Sequence, residues 1–232
     1  MTAIDRTVYP RFTRPPTEHE LTDLYTPTPE ERDFAYRKTR DPLHRVHVLV
    51  LLKIVQRLDY VPDLADIPQP IVTHIHAQVD TAPVIDWALI DARTRRKHAT
   101  AVRRYLGIHR ADRQVRHRLS QALYTAATHM DNPADLINAA IEDLIRHRCE
   151  LPAYSTFDDL TQRIRTQVNT SLFQQAAAQL TADHRTHLDQ LLTVDPDAGR
   201  SGFARLKEPP PRASFRHLQW RCAVLWQHQR VV

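Results

Sequence analysis

Glycine is nearly missing from this chain, with 3 among 232 residues against 16 prolines. Folds built on β-hairpins, phosphate-cradling loops or dinucleotide-binding turns need glycine where the backbone takes a positive φ, which argues against Rossmann, P-loop and all-β classes. Cysteine is equally scarce. Cys149 and Cys222 show no C-x-x-C or zinc-finger spacing, which leaves neither a disulfide framework nor a thiolate metal site and fits a reducing cytoplasm. Long hydrophobic runs are lacking too: the stretch Val48 to Leu52 is closed by Lys53, far short of the roughly 18 to 20 residues of a membrane span. The opening MTAIDRTVYPRFTRPP has no apolar segment followed by a small-residue cleavage site, so it reads as a Pro-rich arm and not as a signal peptide. A soluble, cytoplasmic protein of one large or two small domains is expected.

What is present is charge, and its distribution matters more than its formal net of +5. Residues 1–92 carry 10 basic and 14 acidic side chains, residues 93–118 carry 10 and 1, and residues 119–232 carry 12 and 12. One segment therefore holds more than the whole positive excess. Solvated protein faces interleave both signs, whereas here only Asp112 interrupts, and a concentrated basic footprint is what a polyphosphate partner requires.

Hydrophobic periodicity and start signals describe helices throughout. Thr17, Thr28 and Ser155 each stand three residues before a carboxylate, the capping-box spacing, and Thr28 is followed by Pro29 at the first helical position. Helices are expected over about Pro42–Leu58, apolar on nearly every face and hence central, Ile71–Val79, Ala92–Leu106, Ala111–His129, Pro133–His147, Thr156–Gln179, Ala182–Leu192 and Ser214–Gln229. Gly107 and Asp131-Asn132-Pro133 break the pattern, DPDAGRSG reads as a loop, LKEPPPRAS as extended, and no strand is evident. The fold class is all-α: a multi-helical bundle with helix-turn-helix-like elements and two subdomains, residues 1–130 and 131–232. The helix after Ser155, entered from the turn CELPAYS, is compatible with a helix-turn-helix reader and equally with an ordinary helical hairpin.

Catalytic chemistry is not visible. His44/His47 and His184/His187 stand at i, i+3, but no carboxylate or third histidine completes a metal-binding motif. The neighbours Glu142-Asp143 and Asp158-Asp159 diverge by about 100° on a helix and make no acid/base pair. No cofactor, metal or catalytic residue is expected. Tyr105, beside Arg103 and Arg104, is the aromatic placed best to meet a nucleic acid.

Several stretches taken together resemble a known family: KTRDPLHRVHVLVLLKIVQRLDYVPDLADIP, RTRRKHATAVRRYLGI, DLINAAIEDLIRHRCELPAYSTFDDLTQRIRTQVNTSLFQ, LTADHRTHLDQLL and FARLKEPPPRASFRHL. They are similar to the N-terminal region of the transposases of the Tn-three family, and the resemblance runs from about Phe12 to Leu218. It implies a helical region that binds the terminal inverted repeats of a transposon and delivers the ends to a separate ribonuclease-H-like domain. That domain carries a DDE carboxylate triad with divalent metal, for which this chain has no matching positions.

The expected function is therefore sequence-specific binding of double-stranded DNA at transposon terminal inverted repeats, without catalysis. Contact is assigned to Arg93, Arg95, Arg96, Lys97, Arg103, Arg104, Arg110, Arg113 and Arg116, with Thr156, Arg163 and Gln167 as a second set. Most of these arginines fix register on phosphate and a few reach base edges. Two other readings fit the same sequence: a helical protein-interaction or dimerisation module with a basic face, and a truncated regulator that occupies transposon ends. Homodimer formation is left open.

Overall fold

The computed structural model describes residues 4–79, 85–197 and 199–207, together with Phe215 and Gln219. The described residues are mostly helical, and most of the helices start where side chains can satisfy the free N–H groups of a first turn. Thr17 and Thr28 form full capping boxes with Glu20 and Glu31. They open α1 (Glu18–Glu20), which runs into a π-turn over Leu21–Tyr25, and α2 (Pro29–Lys38). Asp41 caps α3 (Pro42–Leu58), Asp91 caps α5 (Ala92–Leu106), Asp112 caps α6 (Arg113–Ala127) and Asn132 caps α7 (Pro133–Arg146). Between α3 and α5 lie α4 (Gln69–His76) and a 3-10 turn over Trp87–Leu89.

The helix α8 (Tyr154–Ala178) departs from the expected start. Ser155 lies inside its first turn, the Thr156 N–H bonding the Ala153 carbonyl at 2.8 Å. The reason is tertiary. Just upstream, Leu151 N–H donates to the Asp59 carbonyl at 2.8 Å and the Pro152 carbonyl accepts from the Tyr9 hydroxyl at 2.9 Å, so the chain enters the helix from an anchored Leu-Pro segment and needs no hydroxyl cap. The connection over residues 147–153 is longer than the roughly three- to four-residue turn of a helix-turn-helix pair. It is stitched to the α5–α6 connection, where His109 N–H bonds the Arg148 carbonyl at 2.7 Å and Glu150 N–H bonds the His109 carbonyl at 2.8 Å.

Two hydrophobic cores form within the first compact unit, Met1–Asn169. In the first, α3 is the hub: Val46, Leu49, Leu52, Ile54, Val55 and Leu58 are buried among residues of α2, α4 and α5, including Ala35, Ile71, Ile75 and Val102. Two polar side chains are buried on the same helix. Lys53 is paired with Glu31 at 3.3 Å, and Glu31 also accepts from Gln56 at 2.7 Å and from the Thr28 N–H at 2.8 Å, so the carboxylate that closes the α2 capping box also neutralises a core lysine. The second core joins α6, α7 and the start of α8 through Leu119, Leu123, Leu136, Ile137, Ile141, Leu144 and Phe157.

The N-terminal arm belongs to this second core. Tyr9 is buried against the rings of Tyr60, Tyr154 and Phe157 at 5.5 to 5.8 Å, and Val8 N–H donates to the Asn138 side chain at 2.8 Å. The helices on either side of Asp131, α6 and α7, pack together, and the compact units divide after Asn169, within α8. The second unit, Thr170–Val232, contains α9 (Ala182–Leu192), a short antiparallel pair β1 (Val194–Asp195) and β2 (Arg200–Ser201), and α10 (Gly202–Lys207). The pair of strands was not evident in sequence. It forms because Gly199, at φ 64°, turns the chain back where a loop was expected. Leu206 and Lys207, expected to be extended, close α10. The rest of that proline-rich stretch, Cys222, Trp220, Trp226 and, apart from Phe215 and Gln219, the expected helix over Ser214–Gln229 lie outside the described residues.

Candidate nucleic-acid interface

Helix α5 is the centre of the basic segment, and its two faces do different work. Ala99 and Val102 enter the first core against α3, which turns Arg93, Arg95, Arg96, Lys97 and Arg104 to solvent. The helix begins where Asp91 accepts from the N–H groups of Arg93 and Thr94 at 2.8 and 2.9 Å and from the Thr94 hydroxyl at 2.7 Å, so the one acid at its start is spent on capping. It ends at Gly107, whose φ of 67° reverses the chain.

Two hollows flank α5 and share Arg96 and Thr100. The first is an open groove of about 560 Å³ between α5 and the end of α2, lined by Arg93, Arg96, Lys97 and Arg104 together with Lys38 and Thr39. Its lining contains five cations and no carboxylate. Lys38 was not singled out in the sequence, because it is separated from the basic segment by the whole of α3 and α4 and joins it only through packing. The second hollow is a cavity of about 300 Å³ on the α3 side of the helix, with Arg95, Arg96, Arg103 and Arg110 in its lining.

Not every arginine of the segment is exposed. Arg103 is half-buried and donates to the Glu150 carboxylate at 2.7 Å, and the other oxygen of Glu150 accepts from the Ala111 N–H at 2.9 Å. This bridge ties α5 to the entry of α6. Arg118 is likewise held by Asp143 at 2.9 Å. Arg93, Arg95, Arg96, Arg104, Arg110, Arg113 and Arg116 are exposed and make no ion pair among the described residues. Tyr105 is partly exposed, but one face of its ring stacks on Phe34 at 4.3 Å and 26°.

On α8, Arg163 and Gln167 are exposed and Thr156 is half-buried, on one stripe set by their spacing of seven and four. None of the three lines either hollow beside α5. The adjacent face of α8 carries Arg165, held at 2.7 and 2.9 Å by Asp131, which also accepts from Asn169 at 3.0 Å. These bonds hold the Asp131 carboxyl at about 2, well below its ordinary value.

Behind α5 lies a histidine cluster. His47 and His98 are buried with their Nδ1 atoms 3.0 Å apart, and His44 meets His98 edge-on at 5.3 Å. Burial first, then the neighbouring His98, Arg95 and His44, lowers His47 to about 3. Burial and then His44 and Lys38 lower His98 to about 4. Both rings are neutral at physiological pH. In the second unit His187 Nδ1 meets the Asp183 carbonyl at 2.9 Å and His184 closes the α9 capping box, so that pair serves its own helix. Among the described residues, no group of three or more His, Cys, Asp or Glu could hold a metal ion, and no helix is long and apolar enough to cross a membrane.

Comparison with known proteins adds a family to this geometry. Residues 1–164 match the family model described as "Domain of unknown function (DUF4158)". The chain is similar to the transposase for transposon Tn501 of Pseudomonas aeruginosa, 26% identical over 207 residues, which is 88% of this chain and 21% of that protein. It is also similar to the transposase for transposon Tn2501 of Escherichia coli, 24% identical over 192 residues, 81% of this chain and 19% of that one. The chain thus spans about a fifth of the length of these curated relatives.

Proposed function

The chain belongs to the DUF4158 family and is related to transposases, and from that premise we propose that it is a double-stranded DNA-binding module that recognises the terminal inverted repeats of a transposon. The observation that carries this reading is the groove beside α5, with five cations and no acid in its lining. Such a concentration of unpaired charge repels itself unless a polyanion lies against it, and a duplex gains affinity there by releasing the counterions condensed on its phosphates. Arg93, Arg96, Lys97, Arg104 and Lys38 act on phosphate from the groove, while Arg95, Arg110, Arg113 and Arg116 extend the same surface along α5, the α5–α6 connection and α6. Arg103 has a positioning role: through Glu150 it fixes the α5–α6 connection and with it the direction of Arg110 and Arg113. Arg163 and Gln167 supply a second, separate contact on α8, where a side-chain amide can read a base edge. No bond-breaking step is assigned to these residues. The module works in the cytoplasm, where the DNA it binds is found.

The test is an equilibrium titration of two labelled duplexes of equal length, one carrying the inverted repeat and one its shuffled form, at several salt concentrations. Preference for the repeat of about a hundredfold or more, retained as salt rises, is the expected result. The triple variant R96A/K97A/R104A should bind both duplexes more weakly, with a salt slope shallower by about 2 to 3 because each lost phosphate contact removes about 0.9. Equal affinity for both duplexes would refute repeat recognition, and an unchanged slope would refute the groove as the phosphate surface.

A further inference from the structure

The cavity on the α3 side of α5 differs in kind from the open groove. At about 300 Å³ it stands at the lower end of the range for small-molecule sites, and its walls divide by chemistry. Leu51, Val61 and Pro62 give one apolar side, and Arg95, Arg96 and Arg110 give a cationic one, with Asp63 the one acid in the lining. The lining also includes His47, only 1% exposed. One of the two facing Nδ1 atoms of His47 and His98 must carry the proton that joins them. Whichever tautomer that selects, His47 Nε2 is buried without a hydrogen-bond partner, and so is Nε of Arg103, another lining residue. Both nitrogens are closed to solvent, so a ligand reaches them only by displacing the side chains that cover them, and one that does so with a complementary edge removes the cost of leaving them unpaired.

These features narrow the ligand. A bare anion would use the arginines and leave the apolar wall and His47 unserved. An apolar molecule would bury arginines and a ring nitrogen against nothing. What matches all three is a flat body with apolar faces, a polar edge, and a phosphate a few bonds away. We propose that the cavity takes one nucleotide unit, its base against Leu51, Val61 and Pro62, its edge on His47 Nε2 and its phosphate on the arginine rim. That unit comes either from a free nucleoside monophosphate or from a DNA strand in the adjoining groove, which shares Arg96 with the cavity and from which a base swings out of the stack. The second source rests on the DNA-binding reading above and the first does not.

The experiment has two arms on the full chain. In one, the four deoxynucleoside monophosphates, deoxyribose 5-phosphate and inorganic phosphate are titrated by calorimetry. In the other, a duplex carrying 2-aminopurine is followed by fluorescence for unstacking and by anisotropy for binding. A free-nucleotide site gives at least one monophosphate a preference of about tenfold over deoxyribose 5-phosphate. A strand-derived unit brightens the 2-aminopurine on binding. His47→Phe should abolish either signal, and Arg110→Ala, at an exposed position on the rim, should weaken it about tenfold even if the first variant folds poorly. The proposal is overturned if neither arm responds, if inorganic phosphate binds as well as the nucleotides and no brightening occurs, or if the signal survives in both variants. Anisotropy without brightening or nucleotide preference overturns the cavity and leaves DNA binding standing. Nucleotide preference without duplex binding does the reverse.

Discussion

Acid should unfold this protein earlier than its carboxylates alone would dictate, and the cause is the histidine pair behind α5. His47 and His98 are held at about 3 and about 4 in the fold, chiefly by burial, whereas an unfolded chain returns each to about 6.5. A folded value below the unfolded one means that the unfolded state takes up protons first as pH falls. Stability is therefore complete above about pH 6.5 and is lost progressively below it, until the folded rings themselves titrate near the values above. At about pH 5 both rings are still neutral in the fold, so the loss depends only on the unfolded value: 1.5 pH units at about 1.4 kcal/mol per unit, or about 2 kcal/mol per ring and about 4 kcal/mol for the pair. Against a typical total of about 5 to 15 kcal/mol that is a large share. Among the described groups whose value the fold shifts, only these two have an unfolded value between about pH 5 and 7; Asp59, raised by burial, acts in the opposite sense, and removing the two rings separates their share from its own. Urea denaturation at about pH 7 and about pH 5, followed by far-ultraviolet circular dichroism, reads the difference as a lower midpoint at constant m value. The variant H47L/H98L should flatten the dependence. A wild-type change below about 1 kcal/mol, or an equal change in the double variant, would refute the argument.

Two further substitutions separate structural from ligand-binding charge. Glu150→Gln leaves the half-buried Arg103 guanidinium without its counter-charge and should cost about 3 kcal/mol in denaturant titrations, while Arg103→Ala should change the salt slope of duplex binding less than Arg96→Ala does; equal slopes would make Arg103 a phosphate contact after all. Lys53→Met should also cost about 3 kcal/mol, because Glu31 keeps Thr28 and Gln56 but loses its buried cation, and the double variant E31Q/K53M should recover at least half of that by removing both charges; no recovery would mean that packing, and not charge, sets the cost.

The helices were legible because local chemistry specified them. α3, α5 and α9 begin and end at the expected residues, each bounded by a capping acid, hydroxyl, proline or glycine that does its work within one turn. Ser155 carried the same local signal and was overruled by distant ones, the bonds of Asp59 and Tyr9 to the Leu151–Pro152 segment. Tyr9 itself stood in a proline-rich stretch with no periodicity, so nothing nearby in sequence could announce that it would be a core residue. The candidate interface was half legible in the same way. A run of arginines is visible in any window of the sequence, but Lys38 reaches the groove only because α2 and α5 both pack on α3.

The pairing of charge follows the same logic and decides what the basic segment can do. The acids that hold Arg103 and Arg118, Glu150 and Asp143, lie 47 and 25 residues downstream, so counting charge within residues 93–118 treats two structural arginines as free. Their removal sharpens the functional reading. Arg103 anchors α5 to the segment that leads into α8 and Arg118 anchors α6 to α7, and the acids that hold them are spent on those pairs. The exposed remainder meets no carboxylate in the groove, and its mutual repulsion is tolerated only because the apolar faces of α3 and α5 hold the helix in place. Helix α5 is thus held from behind by Ala99 and Val102 and left uncompensated in front, and it is this asymmetry on which the proposed contact with a polyanion rests.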